Sequence, residues 1–298
     1  MLTEKFLTYL RKERNYSDKT VESYRNDILS FETFLKETRQ KSLVEADTRD
    51  IRRWIVWLSS RGIQPRSVNR KLTALRSFYK FLFRISQIQV NPIAGLKGMK
   101  VPKHHSVPFS ETEMHRLFDR MDFGNDFKGL RDKAVLKTFY DTGIRRAELI
   151  GLLIRDIDFS SNMLKVLGKG NKERLIPLLP DLTDTLKEYH RARTEKFGNP
   201  LPGDPFFLTD SGKKLYEMFV YRLINRYISL VSTKEKKSPH MLRHSFATHM
   251  LNKGAELNAI KELLGHASLA ATQHYLHAGL AELKDVYRQS HPRSRKKT

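Results

Sequence analysis

Residues 239–251 read PHMLRHSFATHML, and this stretch predicts a helix with one chemically distinct face. His240 and Arg243 are three residues apart, so they lie on the same side of a helix, one turn from each other. Phe246 and Met250 lie on another face and can pack against a core. One helix face can therefore present an imidazole and a guanidinium to the same phosphate group.

Other interpretations of these histidines stay open. His240 follows Pro239 and can simply cap the helix, and a lone histidine more often caps or packs than takes part in chemistry. A zinc site built from His240 and His244 would need the glutamate of the H-E-x-x-H pattern, but Met241 stands in its place. Metal-dependent hydrolysis is therefore disfavoured, and no metal site is expected.

Three further segments carry side chains suited to phosphoryl transfer: TGIRRAEL at 142–149, GKGNKER at 168–174 and LLGHASLAATQHYLH at 263–277. Arg145 follows a glycine turn, where a planar guanidinium can be aimed at a phosphate. Nothing in the local sequence separates Arg145 from its neighbour Arg146. Glu148, one turn further on, either orients a guanidinium or stays solvated.

Lys169 lies between two glycines in a predicted hairpin turn, where it is either a solvated tip or a general acid that protonates a leaving 5′ oxygen. Tyr275 is one of 11 tyrosines, and most tyrosines are amphipathic packing residues. If Tyr275 is a nucleophile, its phosphate ester conserves the energy of the broken bond, and rejoining needs no ATP, metal or other cofactor. His266 precedes Tyr275 across a helix stop at Gly265, so the two can meet at one site.

The composition favours a nucleic acid as the partner. The 298 residues include 55 Lys and Arg against 33 Asp and Glu, a formal net charge of +22, which attracts a polyanion. An anionic membrane surface competes, but no apolar run reaches the ~18 residues of a spanning helix, and the N-terminus does not resemble a signal peptide. We therefore expect a soluble, cytoplasmic protein without membrane association. Cysteine is absent, which excludes disulfides, thiolate zinc sites and thiol nucleophiles.

Residues 1–86 predict a small α-helical, DNA-binding bundle, because helical periodicity occurs four times. The clearest apolar stripe runs through Val21, Tyr24, Ile28, Phe31 and Leu35. The basic residues on the polar faces are either solvated or, as the basic excess of the chain favours, in contact with phosphates. They are Arg49, Arg52, Arg53, Arg66, Arg70, Lys71, Arg76 and Lys80.

Periodicity lapses at residues 87–109, where prolines and glycines predict an interdomain linker. A second domain, residues 110–298, begins with a capping box at Ser110. Its helices are expected near 181–197, 214–231, 240–253, 256–264, 268–277 and 279–289. Its one clear β signal is a hairpin formed by residues 163–167 and 174–178.

Together these segments resemble the tyrosine recombinase (phage integrase) family, and within it the Xer-type site-specific recombinases, over essentially the whole chain. TGIRRAEL is similar to the family's first arginine segment, GKGNKER to its lysine hairpin, HMLRHSFATHML to its His-x-x-Arg segment, and LLGHAS and T-x-x-Y-x-H to its last two. The resemblance implies a catalytic set of Arg145, Lys169, His240, Arg243, His266 and the nucleophile Tyr275, supported by Glu148. Departures such as Ala147, where Ser is usual, remove no catalytic group.

The resemblance also implies a mainly α protein, with an N-terminal four-helix SAM-like core-binding domain and a C-terminal, mostly helical catalytic domain that carries a small β-sheet or hairpin. Members of the family bind double-stranded DNA core sites. Four protomers, identical or paired with a second recombinase, then exchange strands through a Holliday junction. By the same resemblance we expect chromosome dimer resolution at a dif-type site, with a septal DNA translocase as a further partner.

Alternatives remain at this point. They are a mobile-element integrase or invertase, a type IB topoisomerase that relaxes DNA without synapsis, and a non-catalytic DNA-binding protein. A C-terminal helix with an apolar stripe of Leu280, Leu283, Val286 and Tyr287 must also bury that stripe. It packs either on its own domain or, as the resemblance implies, on the next protomer of a cyclic tetramer.

Overall fold

The computed structural model describes residues 2–101, 107–168, 172–265 and 285–293. The chain divides into two compact units, residues 1–104 and 105–298, and each unit has a hydrophobic core of its own. Both units are mainly helical, as the sequence predicts. No helix in the described ranges combines the length and the apolar character needed to cross a membrane.

The described part of the first unit is a bundle of four helices. They are α1 (Leu2–Lys12), α2 (Asp18–Arg39), α3 (Thr48–Ser60) and α4 (Pro65–Arg84). The apolar stripe predicted for α2 is confirmed, since Val21, Ile28 and Phe31 are fully buried. Tyr24 lies half-buried at the edge of this stripe.

The second unit combines helices with a small sheet. Its described α-helices include α5 (Glu111–His115), α6 (Phe127–Thr142), α7 (Arg146–Gly151), α8 (Pro180–Phe197), α9 (Glu217–Val231), α10 (Pro239–Asn252) and α11 (Leu257–Leu264). Its antiparallel strands, in the order β1-β2-β3, are β1 (Ile157–Asp158), β2 (Met163–Leu167) and β3 (Glu173–Pro177). The β2–β3 pair is the predicted hairpin, with Met163 opposite Pro177 and Leu167 opposite Glu173. Strand β1 was not predicted, because so short a strand shows no alternating pattern.

Most predicted helix boundaries of the second unit agree closely with the structure. The helix expected from residue 214 begins instead at Glu217, because Lys214 forms a β-bridge with Leu208. The helix expected at 268–277 lies outside the described residues. Of the helix expected at 279–289, the structure describes the end, where residues 285–290 are helical.

Helix α6 lies at the centre of the second unit and packs against α8 and α10. Nearly all of its residues are buried, including charged ones such as Lys137. Buried charges need partners, and Nζ of Lys137 lies 3.3 Å from Asp141 and 2.5 Å from Asp181. The helix ends at Gly143, just before Arg145, so the packing of α6 positions the start of the predicted site.

Candidate active site

Arg145 is positioned by the end of one helix and the start of the next. Gly143 ends α6 with a φ of +60° and donates its N–H to the Phe139 carbonyl, a left-handed conformation that glycine adopts without strain. Arg145 then directly precedes α7. Its backbone N–H donates to Oε2 of Glu148 at 2.8 Å, and its Nη1 donates to Oε1 at 2.7 Å. Glu148 therefore orients both the backbone and the guanidinium of Arg145.

Glu148 is shared with a second arginine, Arg174 on β3. The Arg174 guanidinium donates from Nη1 to Oε1 at 3.0 Å and from Nη2 to Oε2 at 2.8 Å, which is the parallel two-bond geometry of strong Arg–carboxylate pairs. The Glu148 side chain is only 5% exposed. Burial alone would raise its pKa, but hydrogen bonds and charges from Arg174 and Arg145 outweigh burial and lower the pKa of Glu148 to about 2. Glu148 is therefore a carboxylate at neutral pH.

Sequence reasoning did not single out Arg174, although the GKGNKER segment ends on it. A usable signal exists, because residues two apart on a strand share a face, and Arg174 shares its face with the fully buried Ile176. A positive charge on the core side of a strand needs a buried partner. Glu148 is that partner.

Arg243 lies on α10, three residues after His240. Its Nη1 donates to the Gly143 carbonyl at 2.6 Å, and its Nη2 donates to the Leu264 carbonyl at 2.6 Å. Arg243 therefore joins the C-terminal ends of α6 and α11. Burial, and then the nearby charge of Arg145, lower the pKa of Arg243 to about 10, so it remains charged at neutral pH.

Three consecutive carbonyl groups at the end of α11 accept hydrogen bonds from the three arginines. The carbonyls of residues 263–265 accept, in that order, from Nε of Arg174 at 2.8 Å, Nη2 of Arg243 at 2.6 Å and Nη2 of Arg145 at 2.9 Å. The last carbonyls of a helix lack partners within the helix and form the negative end of its dipole, so they attract cations. The end of α11 thus gathers three guanidinium groups at one place.

This cluster is suited to binding and polarising a phosphodiester. A guanidinium presents several planar donors, and the Arg145 side chain keeps 36% of its surface exposed, so its free N–H groups can reach a ligand. Phosphoryl transfer adds negative charge to the non-bridging oxygens. Donors that are already fixed in place stabilise that charge without reorganising.

The structure also separates side chains that the sequence left ambiguous. Arg146 forms an ion pair with Glu217 on α9 at 2.5 Å, outside the three-arginine cluster. His249 is buried, and its Nδ1 lies 2.9 Å from the Tyr140 hydroxyl, so it is a packing residue of the core. His240 is solvent-exposed in the first turn of α10.

Lys169, His266 and Tyr275 lie outside the described residues, but the chain reaches two of them from within the cluster. Gly265, which precedes His266, provides the carbonyl that binds Arg145. Gly168, which precedes Lys169, is so close to the cluster that a methyl group on it would lie 3.5 Å from Nη1 of Arg174. Both segments therefore leave the described structure beside the arginines.

The basic residues predicted to contact DNA fall into two groups in the first unit. Arg70 and Lys71 bind the buried carboxylate of Asp27, at 2.5 Å and 3.1 Å, and Arg76 donates to the Leu96 carbonyl at 2.8 Å. These three cations therefore also hold the bundle together. The others are exposed, and of these only Arg49 forms an ion pair among the described residues, with Asp47 at 3.6 Å. The remainder are Arg52, Arg53, Arg66 and Lys80.

Comparison with known proteins identifies the family of both units. Residues 108–281 match the family model described as "Phage integrase family", and residues 3–85 match "Phage integrase, N-terminal SAM-like domain". Relatives named tyrosine recombinase XerC from Chlorobaculum parvum and Listeria welshimeri are 39% and 38% identical to this chain. The alignments cover 97% and 98% of this chain and 94% and 98% of the relatives.

The fold is also similar to solved recombinase structures. The XerH site-specific recombinase, bound to a palindromic difH substrate in a post-cleavage complex, matches with a TM-score of 0.72 at 22% identity, over 96% of this chain and 80% of that one. The Tn1549 transposon integrase in complex with transposon right end DNA matches with a TM-score of 0.71 at 18% identity, over 95% and 98%. The family models and the XerC-named relatives confirm the family resemblance of the sequence segments. The chain belongs to the phage integrase family.

Proposed function

We propose that this protein is a site-specific DNA recombinase that cuts and rejoins DNA strands through a 3′-phosphotyrosyl intermediate. The observation that carries the proposal is the convergence of Arg145, Arg174 and Arg243 on the carbonyls of residues 263–265, in the segment that leads to Tyr275. Fixed cationic donors suit the transfer of a phosphodiester to a hydroxyl nucleophile. The net charge of +22 and relatives named tyrosine recombinase at up to 39% identity support the same function.

In the proposed reaction the Tyr275 hydroxyl gives up its proton to solvent as its oxygen attacks the phosphorus, and the bond from phosphorus to the 5′ oxygen breaks. Lys169 gives a proton to that leaving oxygen as a general acid. The reverse attack, by the 5′ hydroxyl of a partner strand on the phosphotyrosine, rejoins the DNA and restores Tyr275. The bond energy is kept in the ester, so no cofactor enters the reaction.

The arginine cluster acts on the phosphate in this scheme. Arg145 and Arg243 donate to the non-bridging oxygens, whose negative charge grows in the transition state. His240 and His266 complete this set of donors. Glu148 touches no substrate atom and holds Arg145 in place.

We further propose which segment of the chain binds DNA and which carries out the reaction. Residues 1–86 bind double-stranded core sites through their exposed basic residues, residues 87–109 link the domains, and residues 110–298 carry the chemistry. Four protomers, alone or with a second recombinase, would assemble on two sites and exchange strands through a Holliday junction. The XerC-named relatives favour a Xer-type role, chromosome dimer resolution at a dif-type site, with a septal DNA translocase as a further partner.

A nicked duplex carrying a dif-type core site tests this function, because loss of the short cleaved fragment traps the covalent complex. We expect the wild-type protein to form an adduct that survives on a denaturing gel, and Tyr275→Phe to bind the same DNA without forming one. Tyr221→Phe, at an exposed tyrosine of α9, is the matched control and should behave as wild type. An adduct in Tyr275→Phe would contradict the assignment, and relaxation of plasmid DNA without synapsis would favour a topoisomerase.

A further inference from the structure

We propose that Arg174 is a positioning residue of the strand-transfer site, which fixes Glu148 and the end of α11 and thereby holds Arg145 in the orientation that meets the phosphate. The inference rests on the proposed function and adds a residue to its machinery. Arg174 itself would touch no substrate atom.

The hydrogen bonds define this role. Each oxygen of Glu148 accepts one hydrogen bond from Arg174 and one from Arg145, at distances between 2.7 and 3.0 Å. Arg174 adds a third bond, from Nε to the Leu263 carbonyl at 2.8 Å. One guanidinium therefore ties strand β3 to α7 and to the end of α11.

Burial separates the tasks of the two arginines. The Arg174 side chain is 12% exposed, against 36% for Arg145. Arg174 directs three of its five N–H groups to protein acceptors and is the more buried of the two, which places it behind Arg145. Arg145 faces solvent, where a phosphate can reach it.

The charge balance around Glu148 predicts what happens without Arg174. The charged groups facing Glu148 are Arg145 at the start of α7, Arg174 on β3 and Arg243 on α10, and the hairpin segment that contains Lys169 begins beside it at Gly168. Losing Arg174 removes two of the four hydrogen bonds to a buried carboxylate, and burial then raises the pKa of Glu148. Once protonated, Glu148 no longer attracts Arg145, which is free to leave its position.

This mechanism differs in a measurable way from a purely structural role. An arginine that only holds the hairpin against α11 would, when removed, lower stability and slow the reaction equally at every pH. A positioning role through Glu148 makes the defect grow as the pH falls, because protonation of Glu148 causes the loss.

The test measures the single-turnover rate of covalent adduct formation on the nicked dif-type duplex across the pH range, as a ratio to wild type. We expect Arg174→Met to be slower by roughly 10- to 100-fold, with a ratio that falls further as the pH is lowered. In the double variant Arg174→Met with Glu148→Gln, the ratio should no longer depend on pH. Arg193→Met is the matched control, since Arg193 is another buried arginine of this unit and donates to the Pro205 carbonyl, and its ratio should not change with pH.

If Arg174→Met does not fold, the same rate ratio is measured for Arg174→Lys. A lysine keeps the charge but cannot make both bonds to Glu148 and the third to Leu263, so we expect the same pH trend with smaller size. A ratio that is independent of pH in the folded Arg174 variants would overturn the inference.

A measurement without DNA keeps this inference separate from the proposed function. In protein with ¹³C-labelled glutamate carboxyl groups, the Glu148 signal, assigned by its loss in Glu148→Gln, should titrate at higher pH in Arg174→Lys than in wild type. An unchanged titration would refute the positioning role even if strand transfer is confirmed. A wild-type protein that forms no adduct would instead refute the proposed function, whatever Glu148 does.

Discussion

At the scale of single residues, Glu148 is the carboxylate on which the arginine cluster depends. Its pKa falls from the ordinary value of 4.5 to about 2 in the native protein. A folded-state pKa below the unfolded value contributes stability that is present above about pH 4.5 and is lost as the pH falls towards about 2. The size of that contribution is about 3 kcal/mol for so buried a group.

The corresponding prediction compares the wild type with Glu148→Gln in acid. Near neutral pH the variant should unfold more easily, because the arginines have lost their charged partner. The difference in free energy of unfolding should shrink as the pH is lowered from about 5 to about 2, where wild-type Glu148 becomes protonated. Urea denaturation at a series of pH values measures this difference in free energy of unfolding. A difference that stays constant with pH would contradict the pKa assignment.

Arg145 and Arg243 should act on the transition state more than on binding. A chain of net charge +22 has many other cations for the DNA backbone, so loss of one guanidinium changes affinity little. Losing one fixed donor to developing charge costs ~3 kcal/mol, or about a hundredfold in rate. We therefore expect Arg145→Ala and Arg243→Ala to cut single-turnover cleavage about a hundredfold while the Kd for the same DNA stays within a few-fold.

Arg191→Ala controls for the general loss of charge, since Arg191 is an exposed arginine of α8. It should leave both rate and affinity unchanged. Equal losses of rate and affinity in Arg145→Ala and Arg243→Ala would assign these residues to backbone binding.

At the scale of elements, the turn between α6 and α7 positions Arg145, and Gly143 forms that turn. Its φ is +60°, and a methyl group on it would lie 2.6 Å from Cδ1 of Phe246 and 2.7 Å from Cδ2 of Leu264. Left-handed backbone costs a residue with a side chain ~1–2 kcal/mol. Overpacking of a close contact costs a further ~1–3 kcal/mol.

Gly143→Ala should therefore destabilise the protein by about 2–5 kcal/mol and also slow cleavage, because Arg243 binds the carbonyl of this same residue. Thermal or urea denaturation measures the first effect and adduct formation the second. Gly151→Ala is the control, because Gly151 ends α7 with open space around its Cα and no positive φ. A Gly143→Ala protein as stable as Gly151→Ala would show that the turn tolerates a side chain.

At the scale of the whole molecule, the C-terminal segment bears on both stability and the proposed assembly of protomers. Within the described residues 285–293 it packs on its own unit, where Tyr287 is fully buried and donates its hydroxyl to the Asp141 carbonyl. Arg293 binds Asp119 at 3.0 Å and Asp181 at 2.9 Å. These contacts all lie within one chain. Exchange of the tail between protomers is implied by the family resemblance and remains a proposal.

If the tail packs on a neighbouring protomer, truncation after Gly279 should leave a folded protein that still binds one site but loses synapsis and half-of-sites control of cleavage. The structure predicts a cost in stability as well, because emptying the space of a buried aromatic side chain costs ~3–5 kcal/mol. Truncation after Arg293 keeps Tyr287 and should be as stable as the full chain. Denaturation of the two truncated proteins measures this, and equal stability of the full chain and the protein cut after Gly279 would show that the buried contacts contribute little.

Most of the helical fold could be predicted from the sequence, because the apolar pattern of an amphipathic helix is formed by residues that are close together in the chain. The stripe of α2 and the β2–β3 hairpin are both local patterns, and both are confirmed. The start of α9 was misplaced because Lys214 pairs with Leu208 in a β-bridge. A bridge formed within a loop leaves no periodic signal.

The chemical groups available to this protein can be read from its residues alone: it is a basic chain without cysteine, with arginines, histidines, a lysine and a tyrosine in recognisable local segments. The partners of the arginines, by contrast, follow from the packing of the folded chain. The packing pairs Arg146 with Glu217, outside the arginine cluster. It brings Arg174 into the cluster, so that three guanidinium groups bind the end of α11. The reason is physical, since these bonds join residues far apart in the chain, and a buried charge goes to whichever partner the packed core puts within reach.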